Sequence, residues 1–315
     1  MPGSLSRRGF LALTAGAATF VAACGSKPGE IADDGSVTVK HVFGETKIPA
    51  PPKRVVSAGL TGQDDLLAVG IVPIAVTDWF GGEPFGVWPW AQPKLGGARP
   101  VLLSLADGVP VDQIAPLKPD LIVATNAGLD QDTYNRLTAI APTIAQSDQD
   151  AFFEPWKTQA TTIGQAVFKH DEMQALIAAV EEKFATAGTN NSQFAGKRVL
   201  LLEGRLERDA VQVATPGWRT DFLTQMGFAI ADSGGASIPR DRMRGVLSSA
   251  DVLIWTTESD EEQAALLADP AVAQLGAKRN VFTGKELAGA IAFASPLSYP
   301  LVAGQLPAAI VRALA

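Results

Sequence analysis

Residues 120–125 read DLIVAT, and residues 251–256 read DVLIWT. In both stretches an aspartate precedes a short apolar run, which is typical of a strand buried in a parallel sheet. Each run lies downstream of a similar predicted helix end, LAVGI at residues 67–71 and TQMGF at residues 224–228. This weak internal repeat predicts two halves of related α/β structure.

Short apolar runs alternate with amphipathic ones along the rest of the body. This alternation is the pattern of βαβ units in an open parallel sheet. The glycines at positions 70 and 227 suit the position just after a helix. The pattern predicts strands at residues 54–58, 72–76, 121–125, 198–202, 228–231, 252–256 and 280–283, and helices at residues 64–69 and 219–226.

One long amphipathic segment separates the two halves. Its apolar side chains recur at helical spacing and form one stripe: Met173, Leu176, Ile177, Val180 and Phe184. A helix over residues 171–187 would be about 25 Å long, which is enough for a strut between two lobes. The predicted fold class is therefore α/β, with two lobes joined by a single long helix that limits lobe motion. The boundaries are a first lobe at residues 37–170, a linking helix at 171–192 and a second lobe at 193–315.

Composition excludes several classes of protein. The 315 residues are 47% apolar and 19% charged, with a net charge of −7, which argues against a nucleic-acid partner. Two histidines and one cysteine make a His/Cys zinc site implausible and a disulfide within one chain impossible. No phosphate loop, dinucleotide fingerprint or nucleophile elbow is present, and we expect no enzyme.

The first residues are predicted to be an export signal. Arg7 and Arg8 resemble a twin-arginine motif, and the apolar run at residues 10–23 is too short to span a membrane. Residues 21–24, VAAC, resemble a lipobox, so Cys24 is the predicted lipidation site. The prediction is a signal peptide at residues 1–23 and a flexible tether at residues 24–36. The body would then lie at the extracytoplasmic face of the cell membrane, held by a lipid (palmitate-type) anchor.

The loop after the predicted strand at residues 72–76 is enlarged and aromatic. Gly70 and Asp120 are 50 residues apart, against 24 for Gly227 and Asp251. Parallel α/β sheets bind ligands beyond the carboxyl ends of their strands, so this loop is a candidate cleft wall. The candidate aromatic contacts are Trp79, Phe80, Trp88, Trp90 and, from the other half, Trp218.

Two arginines are candidate partners for an anionic group. Arg205 follows the predicted strand at residues 198–202, and Arg219 follows Trp218 at a helix start. Guanidinium groups bind carboxylate, catecholate and phenolate oxygens in a fixed geometry, and aromatic faces suit flat ligands or cations. These residues predict a partly apolar ligand with an anionic edge.

Several motifs resemble one family, the iron-siderophore substrate-binding proteins of ABC importers. The resemblance covers residues 37–315, and LKPDLI at residues 117–122 is its most specific part. The matching motifs are PKRVV (52–56), DLLAVGIVP (65–73), VDQIAPLKPDLI (111–122), APT (141–143), LADP (267–270) and LGA (275–277). The resemblance implies two Rossmann-like lobes of the helical-backbone periplasmic binding protein type, with the ligand in the cleft. It also implies a monomer.

The resemblance further implies docking on a permease through one acidic residue on each lobe. In the first lobe that position is eight residues before Asp120, which gives Asp112. The same spacing before Asp251 gives Met243, and the neighbouring Asp241 is the candidate substitute.

The ligand stays open between several chemistries. A ferric siderophore already fills the iron shell, so the protein would need neither metal ligands nor an intrinsic cofactor. Haem is the main competing ligand and would need a side chain from Tyr134, Tyr299, His41 or His170 at its iron, of which Tyr299 is expected to reach the cleft. The residues are also compatible with a corrinoid ligand, with an envelope interaction protein that has no transport role, and with an extracellular hydrolase.

Overall fold

A computed structural model describes residues 29–149, 152–214, 217–275 and 279–315. The predicted signal peptide and Cys24 lie outside these residues. None of the helices described is both long and apolar enough to cross a bilayer.

The first half is built on a parallel sheet that follows an antiparallel hairpin, β1 (Val37–His41) and β2 (Gly44–Ile48). The sheet contains β3 (Val55–Ser57), β4 (Ala75–Thr77), β5 (Val101–Leu103), β6 (Leu121–Ala124) and β7 (Thr143–Ala145). Its strand order is β5-β4-β3-β6-β7. The accompanying helices are α1 (Gly62–Ala68), α2 (Val111–Ile114), α3 (Gln131–Thr138) and α4 (Trp156–Ala166). We call this half the N-lobe.

The predicted strut is α5, His170–Asn190. Its apolar stripe is buried as predicted at Met173, Ile177, Val180 and Phe184, whereas Leu176 is only partly buried. These side chains join one continuous apolar core that includes strands of both sheets. The strut is therefore packed against both halves along its length.

The second half, which we call the C-lobe, contains a mixed sheet. Its strands are β8 (Arg198–Glu207), β9 (Ala210–Val213), β10 (Ala229–Ile230), β11 (Ser237–Pro239), β12 (Val252–Thr256) and β13 (Asn280–Phe282). The main order is β11-β9-β8-β12-β13, and β10 also pairs with β8. Its helices are α6 (Asp221–Gln225), α7 (Arg240–Ser249), α8 (Asp260–Ala268), α9 (Pro270–Ala273), α10 (Lys285–Phe293) and α11 (Tyr299–Leu314).

Strand β8 continues beyond the parallel part of its sheet. Its first residues pair in parallel with β10 and β12, and its last residues pair antiparallel with β9. The connecting residues Arg208 and Asp209 both have positive φ, at 46° and 64°, as a tight hairpin turn requires. The hairpin thus extends past the carboxyl ends of the parallel strands, where it can form one side of a cleft.

The predicted two-lobed α/β architecture is confirmed, and each predicted strand has a counterpart; the strand at residues 252–256 has the predicted ends, and the others have shifted ends. Sequence analysis missed the hairpin β1–β2 and the short strands β5, β7, β9 and β11. The structure describes residues 29–36 of the segment predicted as a tether. Within that segment, the backbone of Ala32 bonds to Ser36, and the carboxylate of Asp34 pairs with Lys47.

The lobes contact each other directly through an aromatic cluster. Phe293 of α10 lies 5.6–6.1 Å from the rings of the N-lobe residues Trp79, Phe80, Trp88 and Trp90. A Cβ added to Gly289 would lie 2.5 Å from the Trp88 ring, so only glycine allows α10 to approach this closely. The lobe orientation therefore depends on this contact.

We expect Gly289→Ala to destabilise the protein, because the new methyl group would overlap the buried Trp88 ring. Overpacking of this kind costs about 1–3 kcal/mol in the free energy of unfolding. The matched control is Gly304→Ala in α11, where no atom lies within 4 Å of the new Cβ, and helix propensity should make it neutral or stabilising. Urea unfolding of both variants measures the difference; equal stabilities would show that the contact does not constrain α10.

Candidate ligand-binding cleft

A cleft of about 560 Å³ opens between the lobes at the carboxyl ends of the sheets. Its size lies within the range of small-molecule sites. The side chains and backbone that line it are Trp79, Phe80, Phe153, Leu201, Leu202, Glu203, Gly204, Arg205, Val213, Ala214, Arg219, Thr256, Glu258, Glu262, Ala288, Ile291 and Ala292.

The N-lobe wall is aromatic. Trp79 packs against Phe80 and Phe153 with ring centroids 4.6 and 5.5 Å apart. Phe153 has a φ of 60°, and its backbone N–H donates to Asn126 Oδ1 at 2.8 Å. That hydrogen bond stabilises an unfavourable backbone conformation and fixes where the Phe153 ring lies. Sequence analysis missed Phe153, which follows no predicted strand.

Arg219 is the C-lobe residue most closely joined to that wall. Its guanidinium carbon lies 4.3 Å from the Phe153 ring centroid and 5.1 Å from that of Trp218. The indole N–H of Trp218 donates to the Phe153 carbonyl at 2.9 Å, so Trp218 supports the cleft floor. Within the described chain, Arg219 forms no salt bridge with a carboxylate. Burial lowers its pKa but leaves the group charged at neutral pH.

The remaining charges of the cleft lie at the ends of β8 and β12. Arg205 is there as predicted, largely exposed and 3.4 Å from the carboxylate of Glu207. Three cleft acids, Glu203, Glu258 and Glu262, were not predicted. Their positions in the sequence could have predicted two of them as cleft residues. Glu203 occurs where β8 leaves the parallel sheet, and Glu258 occurs just after β12 ends.

Trp88 and Trp90 do not line the cleft. Their rings stack at 4.9 Å with an interplanar angle of 12°, and Trp88 is only 1% exposed. Trp90 donates its indole N–H to Asp64 Oδ2 at 2.8 Å. The enlarged loop therefore divides into Trp79 and Phe80 at the cleft and two tryptophans that pack between the lobes.

Tyr299 does not reach the cleft, contrary to expectation. It is 1% exposed and packs against Trp156, Phe184 and Phe222 at 5.3–5.7 Å. Local sequence could not show this, because the three rings come from three different helices. The ring therefore serves the interlobe core.

The other residues that haem ligation would need also lie elsewhere. His41 is buried in the hairpin, with its Nε2 2.9 Å from Thr46 Oγ1 and 3.3 Å from the Tyr134 hydroxyl. His170 lies at the start of α5, beside Gly29 and Phe168. Among the described residues, no histidine or tyrosine faces the cleft.

A buried acid lies behind the aromatic loop. Asp64 Oδ2 accepts hydrogen bonds from Trp90 and, across the lobes, from the Ser295 hydroxyl at 2.7 Å. Its Oδ1 is buried and has no hydrogen-bond partner in the described part of the chain. Burial raises the pKa of Asp64 to about 6 and that of the adjacent Asp65 well above its ordinary value. Glu154, under the cleft floor, is raised in pKa by burial as well.

The two candidate docking acids occupy equivalent positions. Asp112 is the second residue of α2, which precedes strand β6, and its side chain is 97% exposed. Asp241 is the second residue of α7, which precedes strand β12, and it is also exposed. Strands β6 and β12 each lie next to the central strand of their sheet. Met243, the position indicated by counting back from Asp251, is fully buried. Helix position thus relates Asp241, rather than Met243, to Asp112.

Comparison with known proteins relates the chain to periplasmic binding proteins, both by sequence and by structure. The family model described as "Periplasmic binding protein" matches residues 55–286. The crystal structure of a periplasmic solute binding protein from Mycobacterium smegmatis str. MC2 155 superposes with a TM-score of 0.88 at 67% identity, covering 90% of this chain and 100% of that one.

Two provisionally named lipoproteins of Bacillus subtilis (strain 168) are related in sequence. YhfQ, an ABC transporter substrate-binding lipoprotein, is 33% identical over 69% of this chain and 66% of its own length. YfiY, a siderophore-binding lipoprotein, is 32% identical over 64% of this chain and 60% of its own length. The chain thus matches between 60 and 66% of the length of these two relatives.

We expect Asp64→Asn to reduce the pH dependence of stability. Because the folded-state pKa is raised, the proton on Asp64 stabilises the fold fully below the unfolded pKa of 3.8, and this contribution is lost as the pH rises through about 6. The loss is on the order of 2–3 kcal/mol. Asparagine keeps an oxygen acceptor for Trp90 and Ser295 but carries no charge.

The measurement is urea unfolding of both proteins at a series of pH values across this window. The variant should gain stability relative to wild type as the pH rises, while the exposed Asp132→Asn should follow wild type. Parallel pH profiles for wild type and Asp64→Asn would contradict the assignment.

Proposed function

The chain belongs to the periplasmic binding protein family, and on that premise we propose that it captures a ferric siderophore in the interlobe cleft and delivers it to an ABC importer. One observation carries the proposal. Aromatic rings of the N-lobe face an arginine of the C-lobe that has no carboxylate partner among the described residues, across a space of about 560 Å³.

The chemistry of the cleft fits a chelated metal better than a free one. A siderophore supplies all the iron ligands itself, so iron enters as cargo and the protein contributes aromatic contact and hydrogen bonds. Trp79, Phe80 and Phe153 offer apolar surface for the ligand backbone, and Arg219 offers N–H donors to iron-bound oxygens. The relative YfiY is named as siderophore-binding, which supports the same ligand class.

Haem fits less well. Haem binding by direct ligation needs a side chain such as His or Tyr at the iron. Tyr299, Tyr134 and His41 are buried in cores away from the cleft, and His170 lies on the strut. The observed geometry therefore favours a siderophore over haem.

Delivery is proposed to use Asp112 and Asp241. Both carboxylates are exposed at the start of equivalent helices, one on each lobe, where a permease could contact them together. Among the residues that the structure describes, the Asp112 carboxylate contacts Arg136 alone, at 3.4 Å, which leaves it available for a cationic partner. Lipidation of Cys24 would hold the protein at the extracytoplasmic face of the membrane, near such a permease.

Substitution of the cleft residues should weaken siderophore binding. We expect Arg219→Gln to raise the Kd about tenfold or more, because hydrogen bonds to a charged group contribute about 1.5–3 kcal/mol. Trp79→Ala should cost on the order of 1–3 kcal/mol through lost stacking. Calorimetric titration with a ferric siderophore measures both, with Arg312→Gln in α11 as the control. Wild-type affinity in both cleft variants would place the ligand elsewhere.

The docking acids should affect transport without affecting binding. In cells that lack the wild-type gene, Asp112→Asn and Asp241→Asn should each reduce uptake of ferric siderophore several-fold, because each removes one charge recognised by the permease. The purified variants should keep the wild-type Kd. Asp132→Asn, another exposed N-lobe acid, is the control. Unchanged uptake in the double variant would show that docking uses other residues.

A further inference from the structure

The charges that line the cleft are distributed unequally between the lobes. Among the described lining residues, the charged ones are Arg205, Arg219, Glu203, Glu258 and Glu262, and all of them belong to the C-lobe. The N-lobe contributes only the three aromatic side chains. The C-lobe wall therefore carries more carboxylates than guanidinium groups.

Of the two cleft arginines, Arg205 forms a salt bridge and, within the described chain, Arg219 does not. Arg205 lies 3.4 Å from Glu207, on the same strand. The nearby Glu203 carboxylate favours the charged form of Arg219. The Arg219 guanidinium lies over the Phe153 ring and makes a long hydrogen bond, at 3.4 Å, to the Ala292 carbonyl. A ligand with several negative charges would thus find only one guanidinium free to receive it.

The carboxylates of the cleft, in contrast, have fewer direct partners for their negative charge. Glu262 already has a partner near the start of α8, because its Oε2 accepts a hydrogen bond from the Glu258 backbone N–H at 2.6 Å. The carboxylates of Glu203 and Glu258 form no hydrogen bond or salt bridge within the described chain. Thr256 pairs with Glu203 across β12 and β8, which places both acids at the same edge of the sheet. Burial and the neighbouring Glu207 raise the pKa of Glu203 by more than the nearby Arg205 and Arg219 lower it.

From this distribution we infer that the ligand is a ferric chelate with an uncharged iron core and a pendant ammonium group, such as an amine-bearing trihydroxamate, rather than a polyanionic catecholate or citrate complex. This inference rests on the proposed function. The iron-bound oxygens accept from Arg219, and the ammonium group lies against Glu203 and Glu258. The faces of Trp79 and Phe80 provide a further surface that attracts a cation.

The test compares chelates that differ only in the amine. Ferrioxamine B has a terminal ammonium group, and N-acetyl-ferrioxamine B has the same iron core without the charge. We expect wild-type protein to bind the amine form about fivefold more tightly, since partly exposed ion pairs contribute modestly to binding. Raising the salt concentration should narrow this gap, because the Debye length falls.

Substitution of the two acids tests whether they cause the preference for the amine form. Glu258→Gln should reduce the preference for the amine form over the acetylated form, and Glu203→Gln with Glu258→Gln should abolish it. Glu261→Gln in the first turn of α8 is the matched control, since Glu261 does not line the cleft. Thermal unfolding confirms that each variant is folded.

Two results would overturn the inference. Equal or tighter binding of the acetylated form, or tighter binding of ferric dicitrate or a ferric tris-catecholate, would show that the acids do not select the ligand, while siderophore capture itself stands. Failure of every ferric chelate to bind would overturn the proposed function together with the inference.

Discussion

The close contact between Trp88 and Gly289 fixes the relation between the two lobes. Because no side chain fits between them, helix α10 lies directly on the indole ring, and Phe293 enters the cluster formed by Trp79, Phe80, Trp88 and Trp90. The cleft lies immediately beside this contact, and Ala288, Ile291 and Ala292 of the same helix form part of its lining. The width of the cleft therefore follows from packing between the lobes as much as from the strut α5.

That arrangement has an energetic cost at Asp64. Its carboxylate links the lobes through Ser295 and orients Trp90, yet one of its oxygens is buried without a hydrogen-bond partner among the described residues, and its pKa is raised. A neutral side chain could make the same two hydrogen bonds at lower cost near neutral pH. The interlobe contact is thus built from a large apolar contribution and one unfavourable polar group, and the apolar contribution is the larger because four aromatic rings surround Phe293.

Sequence alone predicted the architecture but only part of the cleft. The stretches at residues 120–125 and 251–256 are continuous apolar runs, so their strands could be recognised locally, as could the stripe of α5. Strand β5 exposes two of its three residues, and β7 contains one large apolar residue, so neither shows the pattern of a buried strand. Which tryptophan faces a ligand and which faces Gly289 depends on residues about 200 positions away, and no local pattern reports that. Glu203 and Glu258 could have been found, because acids at strand ends are as informative as Arg205.

The division of chemistry between the lobes follows from their topology. The N-lobe reaches the cleft through a loop enlarged with aromatic residues, whereas the C-lobe reaches it through the ends of β8 and β12, which carry charged side chains. The N-lobe therefore supplies aromatic surface to the cleft, and the C-lobe supplies its charged side chains. Since the aromatic cluster packs the lobes together beside the cleft, we expect selection between ligands to depend mainly on the chemistry of the two walls. Under the proposed docking on Asp112 and Asp241, a permease would meet a similar spacing of carboxylates in the free and loaded protein, and the bound ligand itself would supply the difference that the permease detects.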